Sequence, residues 1–137
     1  MFWGMFMDEQ LEYLKSVKFE RQLQKLIKKL KNKTVVIYGT GILFQKIVKN
    51  FDLSNINIIG VSDRKYTSED AGKEALGYKI IPLEDIKAAN PDYVLVATLK
   101  FLSIIDDFQN NMFNGTKIKV LPLVDKPFFT LLKEVFA

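Results

Sequence analysis

Gly39 and Gly41 flank a threonine between a β-branched run and an apolar helical pattern, and this turn holds the chemistry that the sequence offers most clearly. A backbone without Cβ atoms lets a ligand come close. A helix starting near Ile42 would aim its free N–H groups and the positive end of its dipole at that point, which suits a phosphate. Asp63 stands 24 positions after Gly39, at the end of a second strand-like run. A carboxylate there can accept from both hydroxyls of a ribose. Arg64 and Lys65 beside it would tolerate a phosphate on the 2′ oxygen. The plainer alternatives are a ligand-free corner at Gly39–Gly41 and a turn or helix-cap carboxylate at Asp63.

The run Val35 to Gln45, VVIYGTGILFQ, departs from the full G-x-G-x-x-G fingerprint at Phe44. The third glycine of that fingerprint serves close packing of helix on strand rather than phosphate contact. Phe44 is therefore expected either to push the helix outward or to turn its ring into the core. It weakens a dinucleotide fingerprint without abolishing an anion site.

Other routes to catalysis are closed by composition. The chain has no cysteine and no histidine. Thiol nucleophiles, thiolate metal sites, a Ser-His-Asp relay and the commonest general base are thereby excluded. A Tyr-x-x-x-Lys pair is also absent: the fourth residues after Tyr13, Tyr38, Tyr66, Tyr78 and Tyr93 are Val17, Ile42, Asp70, Pro82 and Ala97. No Walker lysine follows the glycine turn, and no calcium-loop spacing of acids occurs. The adjacent acids Glu84-Asp85 and Asp106-Asp107 would point apart on helices. Catalysis by this chain alone is not expected.

The elements that would position the turn are legible in the hydropathy pattern. At 137 residues, 48% hydrophobic and 26% charged, the chain has the balance of an ordinary globular domain. Asp8 to Lys31 reads as one long amphipathic helix, with Leu11, Leu14, Val17, Leu23, Leu26, Ile27 and Leu30 on its apolar side. Asp8–Lys33 carries eight basic and four acidic side chains, and this excess supplies the whole net charge of +4. We divide the chain into this helix, residues 1–31, for docking or oligomerisation, and an α/β domain, residues 32–137. MFWGMFM ahead of the helix is too short to span a membrane and reads as a disordered or docking end. With no export signal and no cysteine, the cytoplasm is the expected compartment. No stacking aromatics or nucleic-acid motif accompany the basic helix, so nucleic acid is not expected as a partner.

Beyond residue 32 strands alternate with helices. TVVIY (Thr34–Tyr38), NINIIGV (Asn55–Val61), the short strand in GYKIIPLEDI (Gly77–Ile86), DYVLVAT (Asp92–Thr98) and Lys117–Leu121 give about five strands. Arg64–Leu76 reads as a mobile loop, a helix covers Phe101–Met112, and Pro127 opens a closing helix with Phe128, Leu131, Leu132 and Val135 on one face. Right-handed βαβ units then imply a single Rossmann-like, doubly wound parallel sheet in the order 3-2-1-4-5. Ligands bind such sheets outside the carboxyl ends of the strands at the switch point, here between the strands starting at Thr34 and Asp92.

KTVVIYGTG, INIIGVSD, GYKIIPLEDI and PDYVLVAT together resemble a group of small Rossmann-like domains across Lys33–Leu121. These accompany nucleotide-sugar-modifying enzymes of bacterial polysaccharide biosynthesis, among them dehydratases, epimerases and sugar acetyltransferases. The resemblance implies a domain that binds a nucleotide, a nucleotide-sugar or a coenzyme A-like group at the Gly39–Gly41 turn. With the glycine turn, Asp63 and the missing catalytic motifs, the expectation is a non-catalytic module for one of these or for NAD(P). The site would comprise Gly39, Thr40, Gly41 and Ile42, with Asp63 and Arg64 at the ribose and Ala97, Thr98 and Lys100 in the cleft after the fourth strand. The glycine-histidine pair of the acetyltransferase relatives is missing. A homo-oligomer or a partner enzyme would be met through the N-terminal helix. The alternatives are a structural or oligomerising domain that has lost its ligand, and a cofactor-binding subunit of an NAD(P)-dependent oxidoreductase.

Overall fold

The computed structural model describes residues 2–126, with side chains from Glu9 onward. The closing helix expected from Pro127 lies outside the described residues. Four strands form a parallel sheet: β1 (Thr34–Tyr38), β2 (Asn57–Ser62), β5 (Tyr93–Val96) and β6 (Lys119–Pro122), in the order β2-β1-β5-β6. Alternation along the central strands feeds two apolar layers. Val35, Ile37, Tyr93 and Leu95 face helices α1 (Phe2–Ser16), α2 (Phe19–Lys29) and α3 (Ile42–Asn50). Val36, Tyr38, Val94 and Val96 face α4 (Ile86–Ala89) and α5 (Leu102–Asp107). The sheet is thus doubly wound, as expected.

The expected third strand shrinks to a fragment. Tyr78–Lys79 (β4) pairs antiparallel with Glu74–Ala75 (β3), not with the main sheet. Only Ile80 bridges to Val61 in parallel, and the Ile81 N–H donates to the Val61 carbonyl at 2.8 Å. The segment therefore lies where a third strand belongs, beside β2, but pairs for one step. Gly60 explains its closeness. An ideal Cβ there would stand 2.5 Å from Ile81 Cδ1 and 2.9 Å from the Lys79 carbonyl oxygen. A slip in the β1–β2 register just before Gly60 leaves Ile59 as the extra residue of a bulge. The loop from Arg64 is also more built than its polarity implied: Thr67 and Asp70 form a capping box around the turn Ser68–Asp70.

The long N-terminal helix is two helices, and the first begins at Phe2, inside the stretch read as a disordered or docking end. Lys18 breaks them in a left-handed conformation, φ 55°, which costs a non-glycine residue about 1–2 kcal/mol. The break moves Phe19 inward, and Leu14, Phe19 and Leu23 are all buried within 1% of complete. Each such side chain contributes about 1.5–3 kcal/mol, so the apolar gain outweighs the strain. The phase slip was visible in the sequence: Glu20 and Arg21 stand where an unbroken stripe needs an apolar residue. The Phe19 and Phe51 rings meet edge-on at 4.9 Å, joining α2 to the end of α3. The Gln22 amide donates to the Asp125 carbonyl and accepts from the Asp125 N–H, joining α2 to the chain after β6.

α5 widens into a π-helical turn over Phe108–Met112, from which Gln109 Nε2 donates to the Val120 carbonyl at 2.9 Å. The N–H groups of Lys119 and Leu123 point to β5, so Val120 and Pro122 face the outer edge of β6. Among the described residues no helix is long and apolar enough to cross a membrane.

Candidate functional site

Gly39 closes β1 with φ +109°, a conformation that side-chain-bearing residues rarely adopt, and its N–H donates to the Ser62 carbonyl at 2.8 Å. A Cβ there would also crowd the Ala97 oxygen and Thr98 Cγ2, each at 3.3 Å. The first glycine is therefore required by the fold. Gly41 is different. Its φ of −76° and ψ of −166° suit any residue, and a Cβ would meet nothing within 4 Å. It caps α3, whose first turn has no acidic residue and no side-chain cap among the described residues. Among the described residues no side chain therefore takes up the N-terminal N–H groups of α3. Phe44, in the place of the third glycine, turns its ring into the core, fully buried and 6.3 Å from the Tyr78 ring.

Thr40 binds Asp63 twice, through its N–H at 2.7 Å and its hydroxyl at 2.8 Å, both to Oδ2. Burial raises the Asp63 pKa, but the two Thr40 bonds, the Lys65 N–H and the Lys65 charge outweigh it and leave the carboxyl below its ordinary value of 3.8. A lowered folded-state pKa means that the carboxylate stabilises the fold above the unfolded value. That contribution is lost as the pH falls through the folded value. Asp92 behaves alike: the Thr34 N–H lowers its carboxyl against a smaller effect of burial. The melting temperature should therefore fall as the pH drops below the ordinary carboxylate range, and Asp63→Asn should flatten that limb. An acid limb unchanged by Asp63→Asn in a thermal series would contradict the Thr40–Asp63 bond. Beside this pair, burial and the Asp63 charge raise the Tyr38 hydroxyl, while Arg64 next to it opposes the shift.

These groups border a cleft of about 730 Å³ at the carboxyl ends of β1 and β5, the topological switch point. Its size falls within the range of small-molecule sites, about 300–1,000 Å³. Gly39, Gly41, Ile42, Asp63, Arg64, Ala97 and Thr98 all line it. Thr40 is 2% exposed and sits behind the wall. Lys100 is exposed and does not line the cleft. The hydroxyl of Thr98 is buried without a hydrogen-bond partner among the described residues. Sequence reasoning missed Gln10 of α1, Tyr38, and Ser103 and Asp107 of α5, which complete the walls. Tyr38 could have been found as the last residue of the strand entering the turn. Gln10 carried no such signal. Among the described residues no cluster of acids could hold a metal ion.

A family model described as C2185-like, N-terminal, matches residues 31–119. The chain belongs to the C2185-like family. Within this C2185-like chain the match takes in the glycine turn, Asp63 and the cleft after β5, whereas Gln10 and both N-terminal helices precede it. Among solved structures, the C2185-like chain is similar to one described as RSP in complex with beta-NADH. The two share 19% identity with a TM-score of 0.43, over 76% of this chain and 58% of that one. The C2185-like chain thus spans less than two thirds of that protein's length. No curated protein matches it.

Proposed function

We propose that this chain is a non-catalytic module that binds a nucleotide-type ligand in the cleft above Gly41. One observation carries the reading. The second glycine of the turn has no neighbour to accommodate, yet it opens onto uncapped N–H groups at the switch point of the sheet. NAD(P), a nucleotide-sugar and coenzyme A all carry the phosphates that such a turn would hold. The resemblance carried by the motifs around KTVVIYGTG and GYKIIPLEDI supports a role beside the nucleotide-sugar-modifying enzymes of bacterial polysaccharide biosynthesis. A partner enzyme or a second copy would dock on the exposed basic face of α2, with Arg21, Lys25, Lys28 and Lys29.

Calorimetric titration with NADH, NADPH, UDP-glucose and coenzyme A tests the proposal, with saturable binding of at least one as the expected outcome. Absence of binding to all four at millimolar concentration rejects it. In that case the favoured reading is a structural domain, because Thr40 and Asp63 already satisfy each other inside the turn.

A further inference from the structure

Every polar atom of Thr40 is taken by the protein. Its N–H and its hydroxyl both donate to Asp63 Oδ2. Its carbonyl accepts from Gln45 Nε2 at 3.2 Å, and Oγ1 accepts from the Tyr66 hydroxyl at 3.1 Å. One residue earlier, the Gly39 N–H is held by Ser62. The peptides leading into Gly41 are therefore fixed before any ligand arrives.

A carboxylate offers about four acceptor sites, and gripping both hydroxyls of a ribose takes two of them. Asp63 Oδ2 already accepts twice, and Oδ1 takes the Lys65 N–H at 3.3 Å. Freeing Oδ2 would orphan the N–H of a nearly buried residue and gain only a bond of the same kind. The geometry points to Asp63 as a positioning residue: through Thr40 it holds the turn in the shape that presents the Gly41 and Ile42 N–H groups to a nucleotide phosphate, and it does not hold the ribose. This role rests on the nucleotide site proposed above and moves recognition from the sugar to the phosphate.

Asparagine separates the two roles. The two lone pairs of its one carbonyl oxygen can accept both Thr40 bonds, but its amide nitrogen only donates, so no acceptor is left for a ribose hydroxyl. NADH and UDP-glucose, each with a free ribose diol, are the probes, titrated into wild type, Asp63→Asn, Asp63→Ala and Thr40→Val, with the melting temperature of each recorded. The positioning role predicts Asp63→Asn within about threefold of wild type, while Asp63→Ala and Thr40→Val each weaken binding by about tenfold or more. Adding Thr40→Val to Asp63→Ala brings little further loss, since the hydroxyl bond it removes is one of the two that Asp63→Ala already removes. Asp63→Asn as weak as Asp63→Ala, with Thr40→Val near wild type, would overturn the assignment in favour of ribose contact. If Asp63→Ala does not fold, Thr40→Ser decides: it keeps the hydroxyl and must bind like wild type where Thr40→Val does not, and equal affinities reject the role. Wild-type protein that ignores both probes at millimolar concentration removes the nucleotide reading and this role with it. The two failures thus appear in different samples.

Discussion

Gly60→Val should lower the melting temperature by on the order of 10 °C. Overpacking of this kind costs about 3 kcal/mol, and a domain of this size loses about 3–4 °C per kcal/mol. The Cβ alone would sit 2.5 Å and 2.7 Å from two carbons of Ile81 and 2.9 Å from the Lys79 oxygen. The Ile81 side chain can turn aside; the Lys79 backbone cannot move without pulling Ile80 and Ile81 off Val61. Trimming Ile81 in a Gly60→Ala/Ile81→Ala double variant should therefore restore only part of the loss caused by Gly60→Ala. Thermal denaturation followed by circular dichroism reads both. A Gly60→Val protein melting within about 2 °C of wild type, the shift expected for less than 1 kcal/mol, would mean that the segment does not cross β2 at this point.

The second large effect is on binding and leaves the fold nearly alone. Gly41→Val should weaken the nucleotide-type ligand by more than about a hundredfold, the equivalent of about 2.8 kcal/mol. The new side chain would fill the space that a phosphate must enter. Its backbone angles are ordinary and its surroundings empty, so the stability cost is about 1 kcal/mol or less, that of a poorer helix cap. Gly39→Val is the contrast: at φ +109° and against Ala97 and Thr98 it should chiefly destabilise. The informative readout is the pair of numbers, affinity and melting temperature, for each variant. A Gly41→Val protein that binds as wild type but melts early would make the turn a corner and no more.

The sequence carried the parts of this molecule that depend on local pattern. TVVIY became β1 with the bounds expected, because a β-branched run buried on both faces has little choice. The switch point followed from the alternation of elements, and the cleft lies there. Phe44 posed a two-way question that periodicity could not answer, and packing against Tyr78 answered it. The rest depended on contacts between distant segments. Nothing local marks Gly60 as a crossing point, since the need for glycine comes from Ile81, 21 residues on. The third strand failed for a related reason: Tyr78 and Lys79 found a nearer partner in Glu74–Ala75 across a tight turn. Asp63 was legible as a residue of the site, but its occupation by Thr40 required the two loops to meet in space.

The outer margin of β6 has a consequence for pairing with other strands. One of its outward positions is Pro122, which has no N–H to offer. The other, Val120, has its carbonyl engaged by Gln109. Among the described residues of β6 an incoming strand would find one donor where a ladder needs an alternating series, so this strand is a poor template for another copy or an extended peptide. Filament growth by edge pairing is disfavoured on this side from the native state.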